Sequence, residues 1–128
     1  MKGIRVLIVD DSAVMRKIVE RCLRQAGIDV KEVIEAANGV EGLAAVQQGP
    51  MDLILSDINM PAMDGLEFLQ GLRGLDNAKN TPVVMITTEG SESRVVEALS
   101  AGARGYIRKP FTPDQVKERV SPLLDGAR

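Results

Sequence analysis

Five times along this chain a short run of apolar, often β-branched residues gives way to a segment with helical spacing, and that alternation narrows the possible folds more than any other feature. The runs Ile4–Val9, Val30–Glu35, Met51–Ser56, Pro82–Thr87 and Gly105–Arg108 have strand length. The segments Ser12–Ala26, Gly39–Gln48, Gly65–Leu75, Ser91–Ala101 and Pro113–Leu124 have helix length. Gly27, Gly49-Pro50 and Gly102 stop helices, while Asn38-x-x-Glu41 and Thr112-Pro-Asp-Gln115 have the spacing of reciprocal N-terminal caps. Val14, Ile18, Cys22 and Leu23 of the first helix, and Val95, Val96, Leu99 and Ala103 near the fourth, are expected to face a sheet.

Such alternation predicts an α/β fold: a doubly wound, five-stranded parallel sheet covered on both faces by five helices. The 128 residues are expected to form one domain, 1–128, without repeats or linkers. For this element count the common strand order is 2-1-3-4-5, with a switch point between the first and third strands. Ligands bind beyond the carboxyl ends of the strands in such sheets. There the apolar runs end in Asp10 and Asp11, in Asp57, in Thr87 and in Lys109.

Composition removes several chemistries. The chain has no histidine, so Ser-His-Asp and Cys-His arrangements and the usual nitrogen-ligated zinc or copper sites are closed to it. With 16 basic against 18 acidic residues, a net charge of −2, and only one Tyr, two Phe and no Trp, neither backbone tracking nor base stacking predicts a nucleic-acid partner. Cys22 reads as a small buried hydrophobe. No apolar stretch approaches the roughly 20 residues that span a bilayer, and Met-Lys-Gly-Ile-Arg leads straight into a strand, so no membrane contact and a cytoplasmic location are expected.

Carboxylate chemistry remains. Three carboxylates converging at about 4 Å repel one another by roughly 4 kcal/mol per pair at an effective dielectric near 20. A hard divalent cation, Mg²⁺, offsets that cost, with Asp11 and Asp57 as direct ligands, Asp10 acting through water and a carbonyl near Asn59 completing the oxygen set. Asp57, ending the central and most apolar strand, is the expected nucleophile toward phosphorus. An acyl phosphate there spreads charge over oxygens within reach of the cation, the Lys109 ammonium and the Thr87 hydroxyl. Taken singly, Asp10-Asp11-Ser12 reads as a helix cap, Thr87 as a strand residue, Lys109 as a surface charge and Asp57 as the start of a loop. Four strand ends with matching chemistry weaken those readings jointly.

The motifs Val9-Asp10-Asp11-Ser12, Asp57-Ile58-Asn59-Met60-Pro61-Ala62-Met63-Asp64-Gly65, Thr87 and Lys109-Pro110-Phe111 together resemble the receiver domain of bacterial two-component response regulators, over essentially the whole chain. Asn59, Glu89 and Tyr106 resemble its single-domain chemotaxis subgroup. Chemotaxis receivers of the CheY type are a standing example of the flavodoxin-like 2-1-3-4-5 order, so the topology lends the resemblance no independent support. The resemblance implies Mg²⁺-dependent transfer of a phosphoryl group to Asp57 from a phosphohistidine on a sensor kinase or phosphotransfer protein, followed by autodephosphorylation. It also implies a cis Lys109-Pro110 bond, a water path bordered by Asn59 and Glu89, and a Tyr106 ring that turns inward as Thr87 moves toward the phosphoryl group. A monomer is implied, read by an output protein on the face of the fourth helix, fifth strand and fifth helix. The histidine-free chain suits the acceptor role. Thr88 departs from the Ala common at that position, and Gly90–Arg94 carries no recognisable partner signature.

Competing readings are an aspartyl-nucleophile phosphatase, which needs an acid where Asn59 stands, and a flavin carrier, whose phosphate loop the two acids after the first strand would repel. Within the resembled family a chemotaxis regulator, a phosphorelay intermediate and a receiver excised from a longer regulator remain open.

Overall fold

The computed structural model describes residues 3–88 and 92–125. The elements run β1 (Ile4–Val9), α1 (Ala13–Gln25), β2 (Val30–Ala36), α2 (Gly39–Gln48), β3 (Leu53–Asp57), α3 (Gly65–Arg73), β4 (Val83–Thr87), α4 (Glu92–Ser100), β5 (Gly105–Arg108) and α5 (Pro113–Asp125). The five strands form one sheet in the order β2-β1-β3-β4-β5, with every neighbouring pair parallel. The expected architecture and strand order are therefore those observed.

Register aligns the carboxyl ends of the strands. Val9 pairs with Ser56, Asp57 with Ile86, and Thr87 with Arg108. The residues that follow leave the sheet along one edge, where β1 and β3 send their connections to opposite faces. β3 starts two residues later than expected, because the Arg5 and Asp52 main chains bond outside the ladder and the Arg5 N–H donates to the Asp52 carboxylate at 2.9 Å. It then extends through Asp57, held beside Ile86 by the β4 pairing.

Two apolar layers sandwich the sheet. Ile4, Val6, Ile8, Leu53, Leu55, Val84 and Ile86 meet Val19, Leu23, Val116 and Val120 of α1 and α5. On the other face Leu7, Ile54 and Met85 meet Val46, Phe68, Leu72 and Ala98 of α2, α3 and α4. A fully buried Leu, Ile or Phe contributes about 1.5–3 kcal/mol, so these layers hold the strand ends in place. Cys22 lies buried among them as a free thiol, its pKa pushed up mainly by burial and partly offset by Arg21.

The helix faces need correction. Val14 and Ile18 are 71% and 41% exposed; α1 instead docks through Val19, Cys22, Leu23 and Ala26, with Met15 partly buried. Those positions make a stripe at i, i+4, i+7, i+8 and i+11, and Val14 and Ile18 lie on the row beside it. In α4 the small Ala98 and Val95 approach the sheet while Val96 and Leu99 face outward, and Ala103 is buried in the turn beyond the helix.

Caps set where helices begin. Ser12 accepts from the Met15 N–H at α1, and Thr112 and Gln115 bond reciprocally before α5. At α2 Asn38 accepts from Glu41, whose side chain reaches the Ala37 N–H instead of that of Asn38. An Asp64/Glu67 box that the sequence reading did not single out starts α3. Gly65 follows it for a steric reason: a Cβ there would collide with the Asp57 carbonyl and the Ile58 Cα.

Candidate functional site

β1 runs into Asp10, which is buried, and then into exposed Asp11, while β3 ends in buried Asp57. One carboxylate oxygen from each of the three lies within 4.8 Å of the others. The Asp10 carboxylate accepts from the Ser12 N–H at 2.8 Å and from Lys109 Nζ at 3.3 Å. Asp57 divides its two oxygens: Oδ1 accepts from the Ile58 N–H at 2.8 Å, and Oδ2 faces Lys109 Nζ at 3.6 Å.

Burial is the largest influence on Asp57 and raises its pKa above the ordinary carboxylate range, with the neighbouring charge of Asp10 adding to the rise. The Lys109 ammonium and the Ile58 and Asn59 main-chain N–H groups act in the opposite direction. The balance leaves a buried anion incompletely compensated by protein groups. Three oxygen donors of one charge, with a single ammonium at their edge, have the composition and spacing of a site for a small hard cation.

Thr87 ends β4 and is buried, its hydroxyl donating to the Thr88 carbonyl at 3.1 Å. The Lys109 N–H donates to the Thr87 carbonyl at 2.7 Å, which carries the β4–β5 ladder up to the site. The Lys109-Pro110 bond is cis, as the resemblance implied. Asn59 is exposed at the rim, with its N–H directed at the Asp57 carboxylate. Thr88 is exposed, and Glu89 lies outside the described residues.

Tyr106 stands farther down β5, 37% exposed, with the Arg119 guanidinium 5.6 Å from its ring centroid. It borders a groove of about 480 Å³ that reaches from Thr87 past Val96 and Leu99 to Arg119. The two exposed apolar residues of α4 thus line a concavity that begins at the buried hydroxyl.

Two contacts escaped the sequence reading. Arg16 Nη1 donates to the Asp10 carbonyl at 2.6 Å, and Arg94 Nη2 donates to the Asp64 carboxylate at 2.7 Å, tying α4 to the cap of α3. The first had one signal, an arginine one turn into the helix that the acid pair opens. The second spans thirty residues and left none.

The family model for the response regulator receiver domain matches residues 6–121. This chain belongs to that family. The receiver is 38% identical to chemotaxis protein CheY-3 of Vibrio cholerae over 124 residues, covering 97% of this chain and 94% of CheY-3. It is 39% identical to the CheY homolog of Campylobacter jejuni over 121 residues, covering 94% and 92% of the two chains. Among solved structures, chemotaxis response regulator CheY4 of Vibrio cholerae superposes with a TM-score of 0.83 at 40% identity, covering 95% of this receiver and 99% of CheY4. The receiver domain of sensor histidine kinase PA1611 from Pseudomonas aeruginosa, 25% identical with a TM-score of 0.82 and covering 96% and 98%, holds a magnesium ion in its active site cleft. The chain is thus a two-component signalling receiver homologous to the CheY chemotaxis proteins. Among the described residues no helix is long and apolar enough to cross a membrane.

Proposed function

We propose that Asp57 is the phosphoacceptor, that Asp10, Asp11 and Asp57, with a carbonyl at Asn59, hold Mg²⁺, and that phosphorylation switches the face formed by α4, β5 and α5. The observation that carries this reading is the meeting of three carboxylates within 4.8 Å beside Lys109. The magnesium in the PA1611 receiver supports the choice of ion.

Asp57 Oδ2, the oxygen that faces Lys109 Nζ, is the nucleophile. It forms the O–P bond as the P–N bond of a phosphohistidine breaks, and the electron pair leaves on the imidazole of the kinase or phosphotransfer protein. Mg²⁺, when bound, supplies charge neutralisation for the carboxylates and the phosphoryl oxygens. The Lys109 ammonium holds the same charge from the other side, and the buried Ile58 N–H keeps Oδ1 fixed so that only Oδ2 meets phosphorus. Hydrolysis then returns the carboxylate, with Asn59 bordering the water path and Thr88 at its rim.

Thr87 converts the new charge into a shape change. To reach a phosphoryl oxygen its hydroxyl must leave the Thr88 carbonyl, so a charged hydrogen bond of about 1.5–3 kcal/mol replaces a neutral one of about 0.5–1.5 kcal/mol. The net is on the order of 1–1.5 kcal/mol, a population shift of roughly five- to tenfold rather than an all-or-none switch. Tyr106 moves inward in the shifted state and remodels the groove, where an output protein docks. The chemotaxis names of the relatives support an output in chemotaxis. In this scheme residues 1–128 act as one receiver domain, monomeric and cytoplasmic.

Incubation with Mg²⁺ and acetyl phosphate tests the assignment by mass spectrometry. Base-labile phosphate is expected on the wild type, none after EDTA, and none on Asp57→Asn. Equal labelling of Asp57→Asn rejects the nucleophile.

A further inference from the structure

Among the described residues, two of the three acids have partners at their own carboxylates, while the contact nearest the third, Asp11, is at the carbonyl of the preceding peptide. Asp57 is held by the Ile58 N–H and faces Lys109; Asp10 is held by the Ser12 N–H and Lys109. Asp11 is exposed at the end of β1, on the far side of the peptide that begins at the Asp10 carbonyl. Mutual repulsion favours its swinging into solvent. The Asp10 carbonyl, however, takes the 2.6 Å hydrogen bond from Arg16 Nη1.

The guanidinium is itself anchored. Arg16 Nε donates to Glu35 Oε1 at 2.8 Å, and Glu35 Oε2 takes Lys17 Nζ at 2.8 Å. The Arg16 side chain is only 16% exposed. The planar fork meets a carboxylate on β2 and a carbonyl after β1 from two separate nitrogens in a fixed geometry, which the compact ammonium of a lysine does not reproduce.

We propose that Arg16 is a positioning residue for the cation site: by pinning the Asp10 carbonyl to Glu35 it fixes the Asp10–Asp11 peptide and hence the direction in which Asp11 leaves β1. The inference rests on the reading of the three acids as a Mg²⁺ site.

The sign of its effect separates this role from two simpler ones. Coulomb interaction alone makes Arg16 an obstacle, since a positive charge beside the acids opposes a cation, and its removal tightens Mg²⁺ binding. A surface ion pair that only aids stability leaves Mg²⁺ affinity unchanged. Positioning requires weaker binding when the charge is removed, and also when it is kept without the fork.

Calorimetric titration of the metal-free protein with Mg²⁺, beside thermal melts and amide exchange at Asp11 and Ser12, tests this. Arg16→Met and Arg16→Lys are both expected to bind Mg²⁺ roughly 10–100-fold more weakly, the usual range for losing an outer partner of a metal ligand. Both should exchange the Asp11 amide faster, while Glu35→Gln changes each quantity in the same direction by less. Unchanged or tighter Mg²⁺ binding by folded Arg16→Lys overturns the proposal. Should the Arg16 variants fail to fold, Glu35→Gln decides, and an affinity equal to wild type overturns the proposal. A wild type that binds no Mg²⁺ overturns the functional reading itself, and this inference with it; intact wild-type binding with indifferent variants overturns this inference alone.

Discussion

Asp57 destabilises the metal-free fold, and the direction of its pKa shift gives the pH dependence. Burial raises its folded pKa above the unfolded value, so the native state holds this proton more tightly than the unfolded chain does. Below the unfolded value both states are protonated and no penalty arises. As pH climbs through the window between the two values the unfolded chain ionises first and stability falls; above the folded value the full penalty remains. Asp57→Asn is therefore expected to raise the melting temperature of the metal-free protein at neutral pH, with a gain that shrinks toward acid pH. Wild type should gain about 2.7 kcal/mol at a Mg²⁺ concentration of 100 times Kd, most of which Asp57→Asn loses. Melts across pH, with and without Mg²⁺, check both; a neutral-pH melting temperature lowered by the substitution contradicts the burial argument. Asp10, Asp11, Asp57, Thr87 and Lys109 were legible because each ends an apolar run. Arg16 was not, because its acceptor is a main-chain carbonyl, and its place one turn into the helix after the acid pair does not by itself identify that acceptor.

Strands and helices were read from period and caps, and the departures lie where tertiary contact overrides local pattern. α1 carries two adjacent apolar rows, and contact with the sheet and α5 chooses the row through Val19 and Leu23 over Val14 and Ile18. The segment between α3 and β4 shows a similar limit. The Arg73 guanidinium donates to the carbonyls of Ala78, Lys79, Thr81 and Gly102, joining the α3–β4 connection to the turn after α4. Burial, with the nearby charge of Arg104, lowers its pKa, and its hydrogen-bond partners among the described residues are carbonyls. Only the 2.8 Å contact to Lys79 is short, so Arg73→Met is expected to cost about 1.5–3 kcal/mol, the worth of one good charged hydrogen bond. Urea unfolding measures this, and amide exchange should quicken first around residues 78–81; a loss under about 0.5 kcal/mol would show that solvent replaces the clamp.

Across the whole molecule the layered core holds the strand ends in place, and the proposed signal runs through a few side chains at the rim. In the proposed switch the neutral hydrogen bond of Thr87 and the outward ring of Tyr106, beneath Arg119, define the resting state. Thr87→Ala should keep most of the phosphorylation yet lose the change in amide protection that phosphorylation brings to α4, β5 and α5. Equal protection changes in both proteins would move the switch away from the hydroxyl. Every part of this scheme depends on where the phosphoryl group lands. Borohydride converts an aspartyl phosphate into homoserine and so marks the residue: after treatment with acetyl phosphate and Mg²⁺, peptide mapping should find homoserine at position 57 and nowhere else. Homoserine at position 10 or 11, or an unmarked chain that has nonetheless bound Mg²⁺, contradicts the account.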